Sequence, residues 1–159
     1  MELNLEEAYD GPIDLSHRFE ISAERLDRPE LLEIDPVLFT GTLEQAHPGF
    51  VLEGEIEIRG AAACSRCLAP VPFSRSGPVH WAFAPAHRRA ERDEEDAELA
   101  EGDLAVVLYD DLKVPFDPLI DEEVQLEIPM KPLCRPDCLG LCSGCGADLN
   151  AGPCDCQTK

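Results

Sequence analysis

From Phe50 to Gly60 the chain alternates: Leu52, Gly54, Ile56 and Ile58 fall on one parity, and Glu53, Glu55, Glu57 and Arg59 on the other. A period of two is the signature of a strand with one dry and one wet face. The run Val37-Leu-Phe-Thr-Gly-Thr-Leu43 precedes it, and Gln45-Ala-His-Pro-Gly49 supplies turn residues between them. Residues 37–60 therefore read as an antiparallel hairpin. Val71-Pro-Phe73 is followed by Val79, Trp81 and Phe83, which alternate again as a third strand, and Leu104-Ala-Val-Val-Leu-Tyr109 reads as another. Strands following one another in this way predict an α+β fold, with a curved antiparallel sheet or partial barrel.

One helix interrupts this order near the C-terminus. Asp117-Pro118 has the form of an N-cap with proline at the first helical position, Glu122 and Glu123 suit the positive end of the dipole, and Ile120, Val124 and Ile128 recur every four residues. Pro129 stops the helix by disfavouring the α conformation at Ile128. Between the strands and this helix, residues 85–103 fit neither period. Eight of the thirteen residues from Glu91 to Asp103 are acidic, and Leu99 is the only large apolar one. Such a stretch buries too little surface to offset the entropy of ordering it, so it is expected to be a mobile acidic loop.

Charge divides the chain at about residue 130. Residues 131–159 carry three basic and three acidic side chains, so the whole excess of 33 acidic over 13 basic residues, a formal charge of −20, lies in residues 1–130. The expected organisation is an acidic body, 1–130, followed by a cysteine-rich module, 131–159. A surface of this sign repels phosphate, since nucleic-acid affinity comes largely from Lys and Arg displacing counterions. A basic protein is the partner it suits. No stretch approaches the ~20 apolar residues of a membrane span.

Six of the eight cysteines fall in the last 26 residues. Cys142-Ser-Gly-Cys145-Gly146 has the form of a metal-binding turn, in which Gly146 takes a positive φ and backbone N–H groups point at sulfur. Cys154-Asp-Cys156 returns a second pair of thiolates after a short loop. The spacing predicts a closed tetrahedral zinc site at Cys142, Cys145, Cys154 and Cys156. A disulfide framework and a redox Cys-x-x-Cys are the competing readings. The segment Met1 to Glu7 shows neither the basic nor the apolar region of a secretory leader, so reduced cysteines are expected, and no βαβ unit is in evidence to carry redox chemistry.

Cys64 and Cys67, at the turn between two predicted strands, leave two readings open. With Cys134 and Cys138 they form a second candidate metal site that uses up all eight thiols. Alternatively, they are reduced, half-buried residues packing as small hydrophobes. The four histidines, His17, His47, His80 and His87, make no ligand spacing with one another, and no phosphate loop, nucleophile elbow or zinc-protease motif is present. No enzyme is expected.

Taken together, Cys64-Ser-Arg-Cys67-Leu68 in mid-chain and Cys134-x-x-x-Cys138-x-Gly140-Leu141-Cys142-x-x-Cys145-Gly146-x-x-Leu149-Asn150, with Cys154-x-Cys156 after it, resemble the YceD family of large ribosomal RNA subunit accumulation proteins. The likeness covers nearly the whole chain, including the acidic helix with its proline exit. It implies a bacterial-type cytoplasmic factor needed for accumulation or processing of large-subunit (23S) ribosomal RNA. Two modes fit that implication: an assembly factor whose acidic body holds a basic ribosomal or assembly protein, or direct RNA binding through the near-neutral tail, with Lys131, Arg135 and Lys159 on phosphate.

Overall fold

A computed structural model describes residues 1–88 and 105–158. Strand β1 (Glu2–Asn4) is followed by a 3-10 helix, Leu5–Asp10, then β2 (Ile13–Phe19), β3 (Leu31–Ile34), β4 (Val37–Ala46), β5 (Gly49–Ala63), β6 (Pro70–Pro85), β7 (Ala105–Tyr109), β8 (Lys113–Pro115) and helix α1 (Asp117–Glu127). The fold is α+β. An open, curved six-stranded sheet has the order β2-β4-β5-β6-β7, with β3 pairing β5 beyond the end of β4, and β1 pairs β8 in a separate ribbon.

The predicted hairpin is present as β4 and β5, closed by His47 and Pro48 after the pair Ala46↔Gly49. Alternation along β5 matches burial: Leu52, Ile56 and Ile58 are buried while Glu53, Glu55 and Arg59 are exposed. The two runs expected as separate pieces after residue 70 form one strand, β6, which pairs with β5 from Pro70 to Phe83. The expected curved antiparallel sheet is present, with one parallel pair at its edge, where β7 runs parallel to β6. The connection between them is long enough for the crossover that parallel pairing requires. Of the expected mobile acidic loop, Pro85 closes β6 and residues 86–88 form a short 3-10 turn; the remainder, including Glu91 to Asp103, lies outside the described residues.

The dry face of the sheet carries Phe39, Leu43, Leu52, Ile56, Ile58, Val79, Trp81 and Phe83, which form one buried cluster with Phe116, Ile120, Val124 and Ile128. Phe116 is the hub. Its ring lies 5.1 Å from Phe39, 5.5 Å from Phe19 and 5.8 Å from Trp81, in edge-on arrangements that aromatic quadrupoles favour. Room for Phe39 is made by Gly41 and Gly54, neighbours across β4 and β5. A Cβ on either would come within 2.8 Å of the Phe39 ring and 2.5 Å of a backbone oxygen.

Helix α1 has Phe116 at its N-cap, so the expected cap residue, Asp117, instead occupies the first turn, where its carboxylate lies 3.5 Å from Arg25. Arg25 also holds Asp121 at 2.8 Å, strapping the 20–30 segment to the helix. Ile128 is extended, with φ −65° and ψ 127°, as a residue before proline should be. The chain leaving α1 then doubles back to the β5–β6 turn, where Ser65 N–H donates to Pro132 O at 2.8 Å. Among the described residues no helix is long and apolar enough to cross a membrane.

Candidate metal centres

Two turns of nearly identical geometry organise the cysteines. In the β5–β6 turn, Cys64 N–H donates to Ala69 O at 2.8 Å and Leu68 N–H to Cys64 O at 2.9 Å. In the tail, Cys142 N–H donates to Ala147 O at 2.8 Å and Gly146 N–H to Cys142 O at 2.8 Å. The residue after the second cysteine is left-handed in both, with φ +64° at Leu68 and +73° at Gly146. Leucine there carries a strain that glycine does not. The sequence holds the matching signal, Cys-Ser-x-Cys-x-Ala at residues 64–69 and again at 142–147.

Each turn aims backbone N–H groups at its first sulfur. Cys64 is lowered to about 6, first by the N–H groups of Cys67 and Arg66 and then by that of Cys134, which lies 3.4 Å from the sulfur. Cys142 is also lowered to about 6, by the Cys145 N–H, the Cys154 thiol and the Gly144 N–H, the last at 3.4 Å. Donors directed at a thiolate stabilise its charge, and the thiolate is the metal-binding form.

The chain brings a second pair of thiols to each turn. Cys64, Cys67, Cys134 and Cys138 form one cluster and Cys142, Cys145, Cys154 and Cys156 the other, the sulfurs of each lying within 4.8 Å of one another. The contacts between Cys64 and Cys138 (3.8 Å) and between Cys67 and Cys134 (3.6 Å) are far longer than the ~2.05 Å of a disulfide. They match the ~3.8 Å edge of a sulfur tetrahedron around an ion with bonds of about 2.3 Å. All eight cysteines are free, and Cys64, Cys138 and Cys142 are buried. Without an ion, four thiols share protons unequally: Cys134 is pushed up to about 12, chiefly by hydrogen bonding to the Cys138 and Cys67 sulfurs. For Cys138, burial acts upward, but the Asn150 amide and the Cys134 thiol outweigh it and the net shift is down. The donor set of each cluster can hold a thiophilic, tetrahedral metal ion.

Three residues that sequence reasoning gave no role complete the framework. Arg66, between the ligands of the first turn, donates from Nη1 to Cys138 O at 2.7 Å and accepts Leu141 N–H at its own carbonyl at 3.1 Å. Gly140, with φ +79°, passes so close to Arg66 that a Cβ would meet its carbonyl oxygen at 2.9 Å. Asn150 donates to Cys138 Sγ at 3.4 Å. The four histidines belong to neither cluster; His80 lies 3.9 Å from Glu53 on the wet face of the sheet.

Residues 52–159 match the family described as "Large ribosomal RNA subunit accumulation protein YceD". An uncharacterized protein of Mycobacterium tuberculosis is 33% identical over 128 residues, covering 80% of this chain and 56% of its own length. A Mycobacterium leprae protein, also uncharacterized, is 28% identical over 119 residues, 74% of this chain and 51% of its own. The maize (Zea mays) chloroplastic "Large ribosomal RNA subunit accumulation protein YCED homolog 1" is 26% identical over 145 residues, covering 78% and 50%. The chain thus spans about half the length of the curated relatives it matches, and no solved structure matches it. With the family's match extending over both cysteine clusters, most of β5, all of β6 and helix α1, this chain belongs to the YceD family.

Proposed function

We propose that the protein is a non-enzymatic ribosome-biogenesis factor of the cytoplasm, supporting accumulation or processing of large-subunit (23S) ribosomal RNA. The family match carries this reading. Its cysteine clusters are read as two structural zinc centres: four thiolates in a tetrahedron with no open position suit Zn²⁺ in a structural role.

The direct partner is read as a basic ribosomal or assembly protein. The wet face of the sheet sets three rows side by side, Asp14–Thr42–Glu53–His80, Ser16–Thr40–Glu55–Pro78 and Arg18–Leu38–Glu57–Ser76. Glu53 and Glu55 are exposed there, beside hydroxyls that can accept or donate hydrogen bonds. Such a face favours fast, salt-sensitive association with a cationic surface. Direct RNA binding through the tail is less well supported. Arg135 is exposed but already engaged within the tail, 2.7 Å from Asn150 Oδ1 and 3.6 Å from Asp137, and each tetrathiolate around a dication would carry a charge of −2.

Pull-down of tagged full-length protein at low and physiological salt, with bound protein and RNA both identified, tests this reading. A basic protein of the large subunit or its assembly machinery should be captured, less of it at higher salt. Capture of ribosomal RNA that survives removal of all bound protein would overturn the protein-partner reading.

A further inference from the structure

Asn150 uses its whole amide to join the two cysteine clusters. The amide nitrogen donates to Cys138 Sγ at 3.4 Å and to Asp148 Oδ1 at 2.6 Å, and the amide oxygen accepts from Arg135 Nη2 at 2.7 Å and Leu139 N–H at 2.8 Å. Two donors and two acceptor lone pairs are all that the side chain has. The opposite orientation would set a carbonyl oxygen against a carboxylate and a sulfur, and an NH₂ against two donors, so the partners fix the orientation.

Those partners belong to different clusters. Cys138 is a thiol of the first. Asp148 lies in the turn of the second, bridged to Leu141 just ahead of Cys142. Backbone bonds reinforce the join: Leu149 N–H donates to Gly140 O at 2.9 Å, and Asn150 N–H to Asp148 Oδ1 at 2.9 Å. The Asn150 amide is thus held between Asp148 on the side of the second cluster and Arg135 and Leu139 beside the first, with its remaining donor on a sulfur of the first.

We propose that Asn150 is a positioning residue that couples the two centres, so that metal retention by Cys64, Cys67, Cys134 and Cys138 depends on occupancy of Cys142, Cys145, Cys154 and Cys156. The proposal rests on the reading that both clusters hold metal. Filling the second cluster fixes the 141–148 turn, and with it Asp148 and the amide; emptying it releases the donor from Cys138. Outer hydrogen bonds of this kind typically change metal affinity by about 10–100-fold. Binding linkage makes the effect mutual.

The test uses Co²⁺ as the probe, added to reduced, metal-free full chain and competed with a chelator, in a double-mutant cycle. Cys154→Ser with Cys156→Ser empties the second centre and leaves residues 139–150 unchanged. With Asn150 present, that change should weaken Co²⁺ retention at the first centre at least about tenfold. In the Asn150→Ala background, already weaker, it should add less than about twofold. Asn150→Asp keeps acceptors for Arg135 and Leu139 but offers sulfur no donor. It should therefore behave like Asn150→Ala and shift the sulfur-to-cobalt absorption of the first centre. Two ions bound, with losses that multiply or an Asn150→Asp protein that holds cobalt like the unsubstituted chain, would overturn the coupling alone. An unsubstituted chain that binds no Co²⁺ would overturn the metal reading and the coupling with it.

Discussion

The two cysteine clusters differ in how far the chain travels to close them. In the first, the sulfur pairs in contact are 67 and 74 residues apart, and the ion would join the β5–β6 turn to the segment leaving α1. In the second, all four thiols come from residues 142–156. Closing a long loop costs more chain entropy than closing a short one, so the same four thiolates do different work in the two places. The first can tie the tail to the body; the second can order only the tail. The boundary expected near residue 130 on charge is one that the first cluster spans.

The most severe way to break this comparison is to remove the tail. A chain truncated after Pro132 loses both centres but keeps the Phe39–Trp81–Phe116 core, so calorimetry should still show a cooperative transition, at a temperature lower than in any point variant below. No transition at all would mean that the body cannot fold without the tail. Next, Cys64→Ser with Cys67→Ser should remove one metal per chain and lower Tm by roughly 10 °C, the scale of a lost structural metal site. Elemental analysis and calorimetry on the same preparation check both.

Gly54→Ala strikes the body and spares the cysteine clusters. The added methyl meets Thr40 O at 2.5 Å and the Phe39 ring at 2.7 Å, which should cost about 1–3 kcal/mol. Gly77→Ala, with nothing within 4 Å, is the control and should stay within ~0.5 kcal/mol by denaturant unfolding. Metal content should be unchanged in both. Cys154→Ser with Cys156→Ser should remove one metal yet lower the Tm of the body by only about 2–4 °C, with hydrogen exchange rising in residues 139–156 and little elsewhere. The smallest effect on stability belongs to Glu53→Gln, Glu55→Gln and Glu57→Gln together. Metal content and Tm should hold, while the association rate with a basic partner falls and its salt dependence weakens.

The same contrast governs what the sequence made legible. Periodicity along β5 and the four-residue recurrence of Ile120, Val124 and Ile128 are local, and both elements are where the pattern puts them. Pairing is not local. Nothing in Ala105–Tyr109 says whether it lies parallel or antiparallel to β6, and β1 and β8 find each other across more than a hundred residues. The cysteines divide in the same way. Cys142, Cys145, Cys154 and Cys156 were legible from spacing alone, whereas Cys64 and Cys67 could be joined to Cys134 and Cys138 only by counting thiols. Arg66 and Asn150 stand in the motifs that carry the family resemblance, but their roles were not legible, because those depend on partners that only the folded chain brings near.

The central claim, that one centre joins tail to body and the other is confined to the tail, is tested most directly by metal content per chain in three full-length proteins prepared under reducing, chelator-free conditions. The unsubstituted chain should hold two zinc ions. Cys64→Ser with Cys67→Ser, and separately Cys142→Ser with Cys145→Ser, should each leave no more than one, because a closed site needs all four thiolates. An unsubstituted chain with no zinc, or one whose content is untouched by either pair of substitutions, would contradict the account.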